Sequence, residues 1–373
     1  MLYSQTQIKY TAYPTSGYVF LQWEDGNKTD TIRYININQI PDFLSSIPTT
    51  NIANPTSIVL NQYPYMPGGV VFQEIVDGTG HLVSSLETTI AAPVLKAVFI
   101  PAKEVKLTKI GDDLVGELKN CDDESFSTTF KFVEKGDIVV GSNTHTVSYE
   151  FYIGETEVTQ ELWKAVMGCG NNPSHWKGSA RPVEVVSWYD VLVFCNRLSD
   201  AIGVDRVYSI NGSTNPDDWG TVPISNNTTW NEVVCNWNAK GFRLPTEVEW
   251  MYAANGGKNQ ANTTYSGSND INSVAWYGNN SSNTTHDVKG KSSNILEIYD
   301  MTGNVYEWCW DVFDAFPTSN TVDYRGPSTI TSKRIKKGGA WSVGSDVSTI
   351  ESREGRDVYT RGNFNGFRVV LIR

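Results

Sequence analysis

The sequence is short of charged residues, of histidine and of closely spaced cysteines. Charged residues make up 19% of its 373 positions, the formal net charge is −11, and there are only four histidines. Nucleic acids and anionic membranes bind basic surfaces, so neither is expected as a partner of this acidic chain. No apolar run approaches the roughly 18 residues of a membrane-spanning helix, so no membrane span is expected. Phosphate-binding, serine-hydrolase and zinc-protease motifs are also missing from the sequence, which argues against three common kinds of enzyme.

No C-x-x-C pair occurs among the five cysteines, which are Cys121, Cys169, Cys195, Cys235 and Cys309. This spacing differs from that of a small disulfide scaffold and leaves the redox compartment open. Cys195 is expected in the core, because it shares one apolar helix face with Phe194 and Leu198.

Aromatic and small polar residues are abundant instead. Aromatic residues make up 12% of the chain, which is typical of a folded, globular protein. The length favours two domains. Short apolar runs punctuated by Gly and Pro predict strands in the first part of the chain, at 18–23, 57–60, 69–72, 94–100 and 113–118. We therefore expect a small all-β, sandwich-like domain over residues 1–125.

Residues 12–26 have the pattern A-x-P-x-x-G-Y-x-F-x-x-W-x-D-G. This pattern resembles the β-repeats of bacterial surface proteins, and the resemblance implies an envelope context. The protein is therefore expected at the cell surface or outside the cell. The first residues of the sequence show neither the basic region nor the apolar region of an export signal.

Helix start signals appear in the second part of the chain, residues 126–373. Ser187 with Asp190, and Thr246 with Glu249, have the spacing of a capping box. Apolar periodicity predicts a helix after each cap and a third helix at 160–167. Upstream of these helices, residues 130–133 and 137–140 are expected to pair as a hairpin.

A series of motifs runs through the same part of the chain. It comprises 152–159 (YIGETEVT), 172–174 (NPS), 181–188 (RPVEVVSW), 241–250 (GFRLPTEVEW), 299–308 (YDMTGNVYEW), 338–341 (GGAW) and 366–368 (GFR). In this order the motifs resemble the formylglycine-generating-enzyme, or sulfatase-modifying factor, family. The resemblance implies an α+β protein with a C-type lectin fold of the formylglycine-generating-enzyme type over 126–373, preceded by the small all-β domain.

Three residues within the motifs have a physical explanation. Arg243 lies close in sequence to the carboxylates of Glu247 and Glu249, which suits an internal ion pair. Gly241 and Gly303 suit turns with positive φ or close approaches of two backbones.

Catalytic members of that family use two cysteines shortly after the GG-x-W element to bind copper and oxidise a substrate cysteine. The corresponding positions here are Val343 and Ser348, and no cysteine follows Cys309. Neither side chain replaces a copper-binding thiolate, so no catalytic residue is expected. Iron-dependent relatives need clustered histidines, whereas the four histidines of this chain are dispersed. We therefore interpret the protein as non-enzymatic.

The C-terminal segment, residues 342–365, shows neither helical nor strand periodicity. Its length and ending resemble those of the variable proteins of diversity-generating retroelements, of the treponemal type, in which a reverse transcriptase rewrites adenines of asparagine codons. Changing the adenines of AAC or AAT cannot give Lys, Gln, Glu, Met or Trp, and only Glu351 and Glu354 break this rule in the segment. The segment is therefore interpreted as a diversified, ligand-binding segment.

The resemblance implies which positions vary and contact a ligand. They are Ser342, Val343, Gly344, Asp346, Val347, Ser352, Glu354, Gly355, Arg356, Asp357, Tyr359, Thr360, Gly362, Asn363 and Phe364. Ile350 and Arg353 are expected to be fixed, one buried and the other ion-paired. Tyr359, Phe364 and Arg356 are of the residue types that dominate interface energetics and would anchor a ligand. The alternative is an ordinary surface loop of an inactive family member.

Asp300, Gly303, Val305 and Glu307 match positions at which family members hold calcium through two side chains and two backbone carbonyls. Oxygen-only ligation suits this hard cation. A structural Ca²⁺ is therefore expected, and no other cofactor is required. In the alternative interpretation, Asp300 and Glu307 accept hydrogen bonds from turn amides.

Together these patterns predict a monomeric, receptor- or adhesin-like protein that binds a protein or glycan ligand. Two alternatives stay open at this point. One is an inactive structural member of the family, and the other is an enzyme with unrecognised chemistry.

Overall fold

The structure is a computed structural model that describes residues 106–372, apart from residue 330, and the backbone of five strands between residues 7 and 101. The chain divides into two compact units, residues 1–103 and 104–373. The boundary expected after residue 125 is therefore too late. Strands at Leu107–Ile110 and Asp113–Lys119 pair within a sheet of the second unit. The side chains of Leu107, Leu114 and Leu118 pack into the hydrophobic core of that unit.

The first unit is described through its strands, which are β1 (Gln7–Pro14), β2 (Tyr18–Trp23), β3 (Ile32–Asn36), β4 (Gly69–Val76) and β5 (Ala97–Pro101). They form two antiparallel sheets, with the orders β3-β1-β4 and β2-β5. The strands expected at 18–23, 69–72 and 94–100 correspond to β2, β4 and β5. The strand expected at 57–60 lies outside the described residues.

In the second unit the described strands are β6 (Leu107–Ile110), β7 (Asp113–Lys119), β8 (Ser125–Val133), β9 (Gly136–Val140), β10 (Asn143–Val147), β11 (Phe151–Gly154), β12 (Tyr208–Ser209), β13 (Val234–Cys235), β14 (Phe242–Arg243), β15 (Tyr306–Val312), β16 (Thr321–Val322), β17 (Lys333–Lys337), β18 (Glu354–Asp357), β19 (Asn365–Gly366) and β20 (Val370–Leu371). The helices are α1 (Gln160–Met167), α2 (Trp188–Ile202), α3 (Thr228–Asn231), α4 (Glu247–Ala254) and α5 (Ile271–Val274).

Two sheets position the C-terminal part of the second unit. A six-stranded sheet has the order β14-β20-β11-β8-β7-β6, and a four-stranded sheet has the order β18-β17-β15-β19. The hairpin expected between 130–133 and 137–140 is wrong. Strand β8 pairs with β7 on one edge and with β11 on the other, so no edge remains for β9, which pairs with β10 instead.

The expected helices are confirmed, and each begins at the polar residue that caps it. Helix α2 follows Ser187 and α4 follows Thr246, and both caps form the reciprocal capping box with Asp190 and Glu249. Helix α1 occupies the expected residues 160–167. Cys195 on α2 is fully buried, as its spacing predicts.

Tryptophans fill the cores on which helices α2 and α4 pack. Trp188 and Trp308 belong to the cluster around α2, and Trp250 belongs to the cluster around α4. All three are fully buried, whereas Trp341 is half-buried. Because an aromatic side chain buries a large apolar area, a few of them suffice for a domain with few helices.

The three residues singled out within the motifs behave as expected. Arg243 forms a buried, two-pronged ion pair with Glu249, at 2.7 Å and 2.6 Å. Gly303 has a φ of 79°, which favours glycine. A Cβ atom at Gly241 would lie 1.8 Å from the backbone oxygen of Asp205, so only glycine fits there.

Candidate functional site: the C-terminal segment

The C-terminal segment begins after β17 and contributes strands β18 and β19 to the four-stranded sheet. It contains the short 3-10 helix Ser345–Val347, then β18 at the sheet edge, and it ends in β19, which runs parallel to β15. Although the segment shows no strand periodicity, Glu354–Asp357 form a strand that pairs with β17. Its sequence, EGRD, consists of poor strand formers, and the pairing comes from the neighbouring strand.

Two arginines of the segment are held by carboxylates of the scaffold. Arg353 donates from Nε and Nη2 to the two carboxylate oxygens of Glu247, at 2.9 Å and 2.7 Å. Arg361 makes the same two-pronged contact with Asp190, at 2.7 Å and 2.9 Å. Glu247 and Asp190 lie in the first turns of α4 and α2, so the segment is attached to both of these helices. The ion pair expected for Arg353 is confirmed, while Arg361 was not singled out from the sequence.

Buried side chains alternate with these arginines along the segment. Ile350 is 5% exposed, as expected, and Ser348 and Val358 are fully buried. Ser348 Oγ donates to the backbone oxygen of Gly344 at 2.9 Å. The backbone of the segment is therefore fixed at short intervals, which limits the conformational entropy it would lose on binding a ligand.

The positions expected to vary lie between these fixed residues, and none of them is buried. The exposed ones are Ser342, Gly344, Asp346 and Val347, and the half-buried ones are Val343, Ser352, Glu354, Gly355, Arg356, Asp357, Tyr359, Thr360, Gly362, Asn363 and Phe364. Together they form what we call the candidate binding face.

The glycines of the candidate binding face differ from Gly366 in what an added Cβ atom would meet. At Gly344 and Gly362 it would meet only the ends of side chains, Asp346 Oδ1 at 2.6 Å and the Phe364 ring at 3.0 Å, whereas at Gly355 the Phe313 ring would have to shift. A Cβ atom at Gly366 would instead lie 2.7 Å from the backbone oxygen of Val183. Side chains can move aside and the backbone cannot, so Gly344 and Gly362 accept substitution more readily than Gly366.

Among the three expected anchor residues, Arg356 and Phe364 lie together. The guanidinium carbon of Arg356 is 5.6 Å from the ring centroid of Phe364, and the Arg356 side chain is 41% exposed. Tyr359 packs partly against the core around α2. The accessible aromatic and cationic anchor of this face is therefore the Arg356–Phe364 pair.

Beneath the face lies Lys336, which the sequence analysis missed. This β17 residue is fully buried, and burial lowers the pKa of its ammonium group to about 8. Its Nζ lies 3.5 Å from Glu354 Oε1. The strand sequence KRIKK gives no apolar alternation from which its burial could be inferred.

Glu354 is a position at which two expectations conflict. It is expected to vary, yet adenine changes in an asparagine codon cannot produce glutamate. Its carboxylate lies between Lys336 Nζ, at 3.5 Å, and Arg356 Nη1, at 4.0 Å. A carboxylate that neutralises a buried ammonium group favours a fixed glutamate at this position.

The residues expected to hold calcium lie in a buried cluster of carboxylates, Glu157, Asp300 and Glu307, which we call the carboxylate cluster. Burial raises the pKa of Glu157 well above its ordinary range, and repulsion from Asp300 and Glu307 raises it further. Burial also raises the pKa of Asp300 to about 6. The guanidinium of Arg368 pairs with Glu307 at 2.7 Å through both of its oxygens. Three buried carboxyl groups therefore share one guanidinium group.

The hydrogen bonds of the cluster only partly match the expected ligand set. Asp300 accepts from the backbone amide of Lys289 at 2.8 Å, as the alternative interpretation has it, and Glu307 accepts from Trp250 Nε1 at 2.6 Å as well as from Arg368. Within residues 106–372, as far as they are described, no group of three or more His, Cys, Asp or Glu is placed to hold a metal ion. The backbone carbonyls of Gly303 and Val305 would have to complete a calcium shell. The calcium site stays a prediction.

At the positions that correspond to the catalytic cysteines, Val343 and Ser348 make hydrogen bonds to backbone groups. The backbone oxygen of Val343 accepts from Gly278 N at 2.8 Å, and Ser348 is the buried residue bonded to Gly344. Neither position carries a group that binds copper.

Residues 116–372 match the Sulfatase-modifying factor enzyme 1-like domain. The chain belongs to this family. It is 39% identical over 249 residues to the chaperone protein LppX of Paenibacillus barcinonensis, covering 61% of this chain and 82% of that protein. It is 33% identical over 132 residues to the formylglycine-generating enzyme of Thermomonospora curvata, covering 30% of this chain and 43% of the enzyme.

Among solved structures, the fold is similar to that of Treponema denticola variable protein 1. The TM-score is 0.62 and the identity 38%, covering 69% of this chain and 98% of the variable protein. The expected fold class is confirmed, and so is the resemblance of this sulfatase-modifying factor family member to a variable protein. The second unit is a lectin-type scaffold of the formylglycine-generating-enzyme kind.

Proposed function

We propose that this protein binds a ligand without catalysing a reaction, and that its C-terminal segment is the diversified part of the binding face. One observation carries the proposal: every position expected to vary is solvent-accessible, and the segment is fixed between them by buried or ion-paired residues, which are Ser348, Ile350, Arg353, Val358 and Arg361. Such an arrangement lets side chains change while the backbone stays in place. Rigid presentation of this kind favours binding, because little freedom remains to be lost.

The contrast among glycines supports the same proposal. Gly344 and Gly362 would tolerate a Cβ atom by small movements of side-chain ends, whereas Gly366 would not. A segment that changes by mutation needs positions of the first kind at its surface and positions of the second kind in its framework. The similarity to a variable protein, at 38% identity, agrees with this division.

The absence of catalytic cysteines supports the non-enzymatic part of the proposal. Catalysis by oxidation of a substrate cysteine would need thiolates where this sequence has Val343 and Ser348. A copper-dependent oxygen-consumption assay with a cysteine-containing peptide checks this point. No oxygen uptake above the protein-free control is expected, and turnover would contradict the proposal.

A location at the cell surface or outside the cell is proposed on two observations. Cys121 and Cys169 form a disulfide, and such bonds persist in oxidising compartments. The pattern at residues 12–26 resembles β-repeats of surface proteins. In the described part of the chain, no helix is long and apolar enough to cross a membrane.

Binding should depend on the candidate binding face alone. We would screen the protein against arrays of surface proteins and glycans, and then repeat the screen with the Asp346→Ser, Arg356→Ser double variant. The variant should lose the ligand while its melting temperature stays close to that of the wild type, because Asp346 is exposed and the Arg356 side chain is 41% exposed. A ligand that binds both proteins equally would contradict the proposed location of the site.

The similarity to LppX favours a second candidate function, in which the ligand is a protein that this chain assists in folding. The identity of 39% extends over 82% of that chaperone. Coexpression with a candidate partner separates the two functions. A chaperone raises the folded yield of its partner, whereas a receptor leaves that yield unchanged.

A further inference from the structure

Lys336 lies at the centre of a small polar cluster beneath the candidate binding face. Its Nζ donates to Asn365 Oδ1 at 2.8 Å. The same atom lies 4.0 Å from the ring centroid of Tyr306 and 5.0 Å from that of Phe364. An ammonium group has three hydrogens to donate, and aromatic faces satisfy such a charge only in part. The acceptors of this cation are therefore one amide oxygen at 2.8 Å and the more distant carboxylate of Glu354 at 3.5 Å.

Other donors of this cluster have no acceptor at all. Asn365 is fully buried, and its Nδ2 has no hydrogen-bond partner within the described residues. The same holds for Nε of Arg356, which is also buried at that atom. A buried donor without an acceptor destabilises the protein, so an acceptor supplied by a ligand would stabilise this cluster.

The charges point to the same kind of missing group. Lys336 and Arg356 share a single carboxylate, that of Glu354, at 3.5 Å and 4.0 Å. The negative charge of Asp346 also raises the pKa of Tyr306, so this carboxylate lies near the cluster. It is solvent-exposed, however, and within the described residues it forms no ion pair with Lys336 or Arg356. Two cations and one anion leave a positive excess in a chain whose net charge is −11.

We propose that Lys336, Asn365 and Arg356 bind a carboxylate of the ligand, and that Glu354 occupies this place in the free protein. The proposal rests on the proposed ligand-binding function and deepens it, since it names the chemistry that the face recognises. The Glu354 side chain is 38% exposed, so it can turn into solvent when another carboxylate takes its place.

The ligand carboxylate is inferred to be a glutamate side chain of a protein. Lys336 has no exposed surface, so only a slender group can reach its ammonium. A glutamate side chain is slender enough, since the carboxylate of Glu354 already lies 3.5 Å from Lys336 Nζ. A carboxylate attached directly to a sugar ring would have to bring the ring between Tyr306 and Phe364.

The test uses N-acetyl-glutamate amide as the probe and the full chain with Glu354→Ser. Titration is followed by the NMR shift of the Lys336 side chain, labelled at Cε. We expect saturable binding to Glu354→Ser, about ten-fold weaker binding to the wild type, where Glu354 competes, and no saturable shift with N-acetyl-glutamine amide. Glucuronate should bind more weakly than the glutamate probe.

Several outcomes would overturn the proposal. Equal binding of the glutamate and glutamine probes would show that charge is not recognised. Equal binding to Glu354→Ser and to Glu354→Ser combined with Lys336→Met would show that the ammonium is not the receptor. Tighter binding of glucuronate would overturn the choice of a protein ligand. If the Lys336→Met protein does not fold, an unchanged Lys336 shift in Glu354→Ser throughout the titration decides against the site.

This experiment is independent of diversification. A failed titration would remove the carboxylate site and leave the proposed function in place. A segment that proves identical among strains would remove the proposed function, whereas probe binding could still be observed.

Discussion

Arg353 of the C-terminal segment forms a two-pronged ion pair with Glu247, the first residue of helix α4, at 2.9 Å and 2.7 Å. Glu247 is 1% exposed and also lies 3.6 Å from Lys337 Nζ. The contact joins the candidate binding face to the buried interior of the scaffold. Removing its guanidinium would leave a buried carboxylate with a single, more distant partner.

Arg353→Ala is therefore expected to destabilise the fold, by about 3 kcal/mol, the usual cost of removing one partner of a buried pair. Arg356→Ala is the matched control, since that arginine lies three positions further along and its side chain is 41% exposed. It should change stability by no more than about 0.5 kcal/mol. Urea unfolding measures both values. Equal effects of the two substitutions would show that the segment is not attached through Arg353.

The two kinds of glycine give a second prediction. Gly366→Ala should cost about 1 to 3 kcal/mol or more, because its Cβ would lie 2.7 Å from the backbone oxygen of Val183. Gly344→Ala should be nearly neutral, because its Cβ would meet only the exposed carboxylate of Asp346, and its φ of −74° suits any residue. Chemical denaturation of the two variants checks this. A larger loss for Gly344→Ala would exclude that position from the variable set.

The parts of this structure that follow from local chemistry could be predicted from the sequence. The capping boxes at Ser187 and Thr246, the buried Cys195 and the Arg243–Glu249 pair each depend on residues within a few positions of one another. Local patterns also place the helices. They do not show which strands share a sheet, and the boundary after residue 125 and the first expected hairpin are wrong for this reason.

The parts that depend on distant residues could not be predicted. Arg361 and Asp190 are far apart in sequence, and nothing near either residue points to the other. Lys336 is covered by the aromatic rings of Tyr306, on β15, and Phe364, in the C-terminal segment. A lysine in a strand of charged residues normally suggests a solvent-exposed position. The sequence analysis named exposed positions of the candidate site, which stay a prediction, and did not identify Lys336 or Arg361.

The disulfide Cys121–Cys169 gives a third prediction. It closes a separation of 48 residues, which in the chain-entropy description corresponds to about 2 to 4 kcal/mol of stability. Dithiothreitol should lower the melting temperature of the wild type and leave that of the Cys121→Ser, Cys169→Ser double variant unchanged. Equal thiol counts by Ellman's reagent before and after reduction of the unfolded wild type would show that no such bond forms.

The carboxylate cluster gives a pH-dependent prediction. Burial raises the pKa of Asp300 from 3.8 to about 6, so the folded state binds this proton more tightly than the unfolded state does. Its contribution to stability is therefore complete below pH 3.8 and is lost as the pH rises through 6. Asp300→Asn keeps the group neutral. In EDTA the variant should match the wild type near pH 4 and exceed its stability by roughly 3 kcal/mol at pH 7.5.

Calcium should reverse that difference if the predicted site binds it. Adding Ca²⁺ at pH 7.5 would then raise the melting temperature of the wild type and leave that of Asp300→Asn almost unchanged. Sodium chloride at the same ionic strength is the control. A wild type whose melting temperature responds neither to Ca²⁺ nor to EDTA would contradict the calcium prediction and leave the pH prediction standing.

The proposal that the C-terminal segment is diversified is tested most directly by sequencing the gene and its flanking DNA from many strains. Substitutions should concentrate at the positions of the candidate binding face other than Glu354, with Ile350, Arg353, Glu354, Val358, Arg361 and Gly366 unchanged. A near-identical template repeat and a reverse-transcriptase gene should lie nearby. A segment that is identical among strains, with no repeat at the locus, would contradict the proposal.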